Sequence, residues 1–168
     1  MEVPLDPITA SQPRLGLEDY MTICRHTMHL TAPPGAIHPL LCPVREREWI
    51  EGWQATVLRS VSGRAEEGCL FATPGQAGPD WLWMIVRHQP DHIRFAIHAP
   101  GSHATLLDLR LTPEDKGTCL NWAYDLVPLT EVGEAYIQGY QARFPAAMSL
   151  LERRLTHFLA TGAMLRTD

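Results

Sequence analysis

Through most of the chain apolar and polar positions alternate at a period of two, and near the C-terminus the apolar spacing lengthens to three or four. Residues 18–31, EDYMTICRHTMHLT, are rich in β-formers and free of Gly and Pro, which predicts a first strand. Ala32-Pro33-Pro34-Gly35 ends it, because proline gives the ladder no N–H and presets a helix start. A short helix through Ile37, Leu40 and Leu41 then runs to Pro43, and a second covers Arg45 to Trp49 before Gly52. Six short strands follow at 53–61, 68–73, 81–88, 91–99, 103–112 and 117–127, with turn chemistry between them: Ser62-Gly63, the loop 74–80 (PGQAGPD), Gln89-Pro90-Asp91, Ala99-Pro100-Gly101 and 113–117. These connections are too short for parallel crossovers, so the strands pair as an antiparallel meander. From Thr130 to Leu159 apolar residues recur at Tyr136, Ile137, Tyr140, Phe144, Met148, Leu151, Leu155 and Phe158, which predicts one long amphipathic helix. Thr130 is its N-cap, with Glu131 and Glu134 in the first turn; Gly162 is its stop, and Pro145 a point of bending.

Seven antiparallel strands must bury one face, and the long helix is the element large enough to cover it, which makes the fold class α+β. Parity selects the buried side chains. Asp108 and Arg110 point to solvent, so Thr105, Leu107, Leu109 and Leu111 face the helix. The same test sends Ile93, Phe95 and Ile97 inward from 91–99, and Thr118, Leu120, Trp122 and Tyr124 inward from 117–127. Residues 81–88 are apolar on both parities, and Trp81, Trp83 and Ile85 are taken as the inner set. A twisted sheet around one helix leaves space between them unless large side chains plug it. The predicted walls of that space are Leu41, Trp49, Trp53, Phe71, Trp83, Ile85, Phe95, Leu107, Leu109, Trp122, Tyr124, Tyr136, Tyr140, Phe144 and Met148.

Composition narrows the functional classes. The chain has 168 residues, 45% hydrophobic and 20% charged, a globular balance that supports one core. Residues 1–17, with three prolines, read as an extended lead-in, residues 18–162 as the single domain and 163–168 as a tail. The net charge of −5 comes with scattered basic residues, so no nucleic acid partner is expected. No apolar run reaches the length of a membrane span, and the N-terminus lacks the pattern of a signal peptide; a cytoplasmic location is the resulting expectation. Cys24, Cys42, Cys69 and Cys119 form no C-x-x-C pair and read as small buried hydrophobes.

Eight histidines raise the question of metal or acid–base chemistry. His26 and His29, three apart on one strand, point to opposite faces and cannot share an ion, and His88, His92 and His98 fall at strand ends. Neither a metal nor a cofactor is expected. For catalysis in an apolar interior the candidates are His29 or Arg25 on the first strand, Tyr124 on the last, and Tyr136 or Tyr140 on the helix. The alternative for the tyrosines is that they pack their rings and wet their hydroxyls. Glu46 and Glu48 beside Arg45 and Arg47 read as a solvated helix face with local ion pairs.

The segment 32–53, APPGAIHPLLCPVREREWIEGW, resembles the helix pair of bacterial members of the START-like superfamily, also called SRPBCC, with Glu46, Trp49, Gly52 and Trp53 in the places of that pattern. Gly68 to Thr73 and Trp83 to Pro90 are similar to its third and fourth strands, and the likeness extends over about residues 18–162. The resemblance implies a helix-grip fold: a seven-stranded curved antiparallel sheet around a long C-terminal helix, with two short helices after strand 1. It also implies that the 74–80 loop lies near a pocket mouth. The superfamily includes polyketide cyclases, lipid-transfer domains and pollen-allergen proteins, so one pocket serves several functions. Three readings follow: binding or transport of a small hydrophobic molecule (lipid, aromatic or polyketide-like), a cyclase or dehydratase, and a regulatory protein-contact module using the outer sheet face. Self-association as a homodimer is left open.

Overall fold

The computed structural model describes residues 21–75 and 78–167. The lead-in 1–17, the predicted strand start at 18–20 and part of the 74–80 loop lie outside the described residues. The elements are β1 (Thr22–Leu30), α1 (Pro34–Ile37) running straight into a 3-10 turn (His38–Leu41), a second 3-10 turn (Glu46–Glu48), β2 (Thr56–Arg59), β3 (Leu70–Thr73), β4 (Trp81–Gln89), β5 (His92–Ala99), β6 (His103–Glu114), β7 (Gly117–Pro128) and α2 (Glu131–Thr161). The strands form one antiparallel sheet in the order β1-β7-β6-β5-β4-β3-β2. With the sheet curved around α2, this is the helix-grip α+β fold.

Parity holds along β5, β6 and β7. Ile93, Phe95, Ile97, Leu107, Leu109, Leu111, Leu120 and Trp122 are all buried, as are Thr105 and Thr118. In β4 the outer set Leu82, Met84 and Val86 is 40–42% exposed, which assigns Trp81, Trp83 and Ile85 to the inside. A bulge between Ile85 and Arg87 then resets the alternation, so His88 rather than Arg87 turns inward. Outside, Leu70, Met84, Ala96 and Leu106 lie opposite one another across four strands.

The segment predicted as strand 53–61 pairs only over Thr56–Arg59, and all four residues are exposed. The cause is Glu66, whose carboxylate accepts hydrogen bonds from the Val61 amide, from the Ser62 amide at 3.0 Å and from the Ser60 hydroxyl at 3.1 Å. These donors, the Ser62 amide foremost, hold the carboxyl down at about 2 and fold the chain back before β3. The first predicted short helix starts as α1 and tightens into a 3-10 turn, and the second is a 3-10 turn throughout. The Trp49 indole N–H donates to the Leu40 carbonyl at 2.9 Å and that of Trp53 to Pro43 at 2.8 Å, which fastens the second 3-10 turn onto the first.

The helix α2 begins where predicted. The Thr130 hydroxyl accepts from the Gly133 amide at 3.3 Å and donates to the Gly101 carbonyl at 2.8 Å. Gly162 ends it in the left-handed region, φ 69°, with its amide on the Phe158 carbonyl at 2.7 Å. Its buried side is Gly133, Ile137, Phe144, Met148 and Leu155, and its backbone runs closest to β1 and β7. No helix among the described residues is long and apolar enough to cross a membrane.

Two glycines in this helix separate packing from propensity. A Cβ on Gly133 would stand 2.0 Å from the Ser102 carbonyl oxygen, a backbone atom, whereas one on Gly139 meets only the end of the Arg143 side chain at 3.2 Å. Alanine is the better helix former at both positions by ~1 kcal/mol. We expect Gly133→Ala nevertheless to destabilise the protein by more than ~1 kcal/mol and Gly139→Ala to leave it unchanged or more stable by up to ~1 kcal/mol, read by urea denaturation. Equal effects of the two would refute this packing account.

Candidate functional site

The inner face of the sheet carries two groups of aromatic rings. On the β3–β5 side Phe71 stacks on Trp83 (centroids 5.3 Å apart, 23°), and Trp53 and Phe95 meet Trp83 edge-on at 6.1 and 6.0 Å. On the helix side His103 stacks on Tyr136 (4.3 Å, 10°), Tyr136 on Tyr140 (5.9 Å, 18°), and Tyr140 meets Tyr124 at 5.9 Å. Trp81 joins the start of β4 to α2 through an edge contact with Tyr136 at 5.6 Å. The Arg143 guanidinium lies over the Tyr136 and Tyr140 rings, 5.3 and 5.7 Å from their centroids.

Accessible area divides the predicted walls into two classes. Leu41, Trp49, Phe71, Ile85 and Leu109 are 0–1% exposed. A side chain bordering a space large enough for water keeps some accessible area, so these five are core and not pocket wall. Phe95, Leu107, Trp122, Phe144 and Met148 are buried with 3–6% remaining. Trp53, Trp83, Tyr124, Tyr136 and Tyr140, together with Trp81, face inward and yet stay half-buried. They pack against the core and carry the accessible area that remains on the inner aromatic face.

The polar groups of this interior differ from expectation. His29 points outward from β1; its side chain is 67% exposed and bonded to Glu114 at 3.0 Å, so it takes no part in the interior. Arg25 likewise lies on the exposed outer face of β1. Glu46 is the reverse case. The charge pattern places it on a solvated helix face, but the outward pair is Arg45 with Glu48, joined at 2.9 and 3.0 Å, while Glu46 turns inside. Burial alone lifts its carboxyl to about 8, and it lies close enough to Tyr124 for its charge to raise that phenol further. Glu46 still keeps some accessible surface. Tyr124 is held well above the ordinary phenol range by burial first and then by Tyr140 and Glu46; Tyr140 is raised by burial and then by Tyr136.

His103, which the sequence pattern does not single out, and the predicted wall residue Trp122 add two more polar groups to the same region. His103 is 2% exposed, its ring is within 2.9 Å of the Ser102 hydroxyl, and burial lowers its pKa. The buried Trp122 indole N–H has no partner among the described residues. At neutral pH the interior therefore presents an undissociated carboxylic acid and phenols, all able to donate hydrogen bonds, against aromatic walls. A separate cleft of about 450 Å³ lies between the first 3-10 turn and the 63–65 segment, lined by His38, Cys42, Arg45, Arg64 and His88 among others. It includes none of the half-buried aromatics, and its Arg45 is already paired with Glu48.

No family model matches the chain, and no curated protein does. Solved structures do. A protein of unknown function from Staphylococcus aureus, SA2116, is similar with a TM-score of 0.63 and 11% identity over 84% of this chain and 95% of that one. A Rhodobacter sphaeroides protein is similar with a TM-score of 0.59 and 20% identity, covering 83% of this chain and 93% of that one. DynU16, from the dynemicin biosynthetic locus, gives a TM-score of 0.58 at 16% identity over 84% of this chain; the chain spans about half of DynU16, 48% of its length. These likenesses establish the shared fold.

The raised carboxyl makes a signed prediction. Between its ordinary value of 4.5 and about 8 the folded protein holds a proton on Glu46 that the unfolded chain has released. The corresponding stability is fully present below the unfolded value and is lost as pH rises through about 8. Glu46→Gln, a neutral isostere, does not lose it. The stability of the variant relative to the parent should rise by on the order of a few kcal/mol between about pH 5 and about pH 8, measured by urea denaturation across pH. A difference that stays flat over that range would place the carboxyl in solvent.

Proposed function

We propose that this chain, a START-like or SRPBCC-type helix-grip domain, binds a small hydrophobic molecule of flat, aromatic or polyketide-like character between its sheet and its long helix. The observation that carries the reading is the set of inward aromatics that keep accessible area, Trp53, Trp81, Trp83, Tyr124, Tyr136 and Tyr140, together with a buried, undissociated Glu46 carboxyl near Tyr124. Burial of ring faces supplies affinity, and a few neutral donors orient the guest. Such donors favour a carbonyl or ether oxygen over a charged group.

Dihydroxyanthraquinone and oleate serve as probes of the two shapes such a guest could take. The anthraquinone should quench the tryptophan fluorescence saturably and more tightly than oleate does. Glu46→Leu, which removes the donor, should weaken it about tenfold, or ~1.4 kcal/mol. Absence of saturable quenching by a panel of aromatic ketones and fatty acids would end the binding reading.

A catalytic form of the same reading, a cyclase or dehydratase, is supported by the acid itself. A carboxyl at about 8 beside Tyr124 can protonate a carbonyl or departing hydroxyl oxygen at neutral pH. DynU16, similar in fold, comes from a biosynthetic locus. With a linear poly-β-ketone thioester as substrate, product formation followed by mass spectrometry should be lost in Glu46→Gln and retained in Glu48→Gln. Equal turnover by both variants would remove Glu46 from catalysis and leave the binding reading standing.

A further inference from the structure

We propose that His29, Glu114 and Cys119 form a binding site for a zinc-like divalent cation on the outer face of the sheet, at the end of the β6–β7 hairpin. Three strands contribute one ligand each. His29 on β1 lies directly opposite Cys119 on β7, and Glu114 on β6 lies opposite Gly117, two residues before Cys119. By parity all three side chains emerge on the same face. Their donor atoms lie within 4.8 Å of one another, and the imidazole Nδ1 and carboxylate Oε2 of His29 and Glu114 are already 3.0 Å apart. Ligand atoms around a tetrahedral zinc stand about 3.3–3.7 Å apart. Rotation of the exposed His29 and Glu114 side chains is enough to close the set on an ion.

The surroundings fit a metal-bound thiolate. The Asn121 side-chain amide donates toward the Cys119 sulfur at 3.4 Å, and the Asn121 carbonyl is itself fixed by the Thr27 hydroxyl at 2.7 Å. Outer contacts of this kind orient a ligand. Cys119 is thus unlike Cys24 and Cys69, which are buried among apolar side chains, and the expectation that all four cysteines are small buried hydrophobes fails here. A thiolate, an imidazole and a carboxylate together suit zinc or cobalt and not magnesium or calcium. Three protein ligands on an exposed face leave the fourth position to water.

The backbone holds this corner rigid. Gly117, at φ 150°, brings the hairpin so near to β1 that a Cβ there would stand 1.9 Å from the Leu30 carbonyl oxygen. An ion on the three side chains would bind the edge strand β1 to β6 and β7 just before the chain turns into α1.

The test is titration of the full chain with cobalt(II), which reports its ligands in absorption. One equivalent should produce a thiolate-to-cobalt charge-transfer band and the strong visible bands of tetrahedral coordination, both removed by stoichiometric zinc. Cys119→Ser should abolish the charge-transfer band, Cys42→Ser should keep it, and His29→Gln and Glu114→Gln should each weaken binding at least about tenfold. Far-ultraviolet circular dichroism of the metal-free variants, all at surface or partly exposed positions, verifies that each is folded. No charge-transfer band at millimolar cobalt, or a band that survives Cys119→Ser, would overturn the proposal. Either result leaves the interior site untouched, since none of the three residues borders it.

Discussion

The pairing of the first strand with the last sets inside and outside for the whole molecule. β1 docks on β7 without interruption, from Thr22 opposite Leu126 to Leu30 opposite Thr118. Because side chains alternate strictly along a strand, this register sends Cys24, Met28 and Leu30 into the core and Arg25, Thr27 and His29 out of it. It also fixes where the chain re-enters space after β1. The helical segment 34–48 starts at the end of that strand, and through Trp49 and Trp53 its two turns are fastened to each other over the open end of the sheet. Glu46 reaches the interior because of that placement. A slip of one residue in the β1–β7 pairing would exchange the two faces of β1 and misplace both the apolar interior and the outer histidine–cysteine pair.

Much of this architecture was legible in the chain because strand parity is a local property wherever one face is polar. Asp108 and Arg110 gave the inner set of β6, and Asn121 and Asp125 that of β7. Where both faces look alike, the pattern is silent. β4 is apolar on both parities, and its bulge at Val86 comes from the fit to β5. β1 is polar enough on both faces that His29 passed for an interior residue. Glu46 was hidden for another reason: in a stretch of alternating acid and base, an α-helical reading places every charge in solvent. The 3-10 turn has a different pitch, so Arg45 and Glu48 pair outward while Glu46 rotates in. The division of the apolar residues into core and wall was not legible at all, since it depends on how far α2 stands from each strand.

Two kinds of polar site coexist on this scaffold, and the sheet itself separates them. Outside, charged groups have opposite partners: Asp108 lies among His92, Arg94 and Arg110, at 2.8 to 3.3 Å, and His29 pairs with Glu114. Water screens the exposed His29–Glu114 pair, which is worth little to stability, whereas His92 and Asp108 are largely buried. On the inner side His26 of β1 pairs with Glu152 of α2 at 3.0 Å, while burial is the leading influence on Glu46, Tyr124 and Tyr140 and keeps them neutral hydrogen-bond donors.

This neutrality imposes a selectivity of its own. A cationic guest could be compensated only by an ionised Glu46, and at pH 7 removing its proton costs about 1.4 kcal/mol for a carboxyl at about 8. The guest's own desolvation adds to that cost. An anionic guest would find donors, with Arg143 as the nearest cation, but that guanidinium already covers the Tyr136 and Tyr140 rings. A neutral guest with an acceptor oxygen needs neither adjustment. In the proposed complex its oxygen would accept the acid proton as a hydrogen bond while its rings lie against inward aromatic side chains. On the proposed reading the same carboxyl would disfavour cations and orient acceptors without any change in its protonation state.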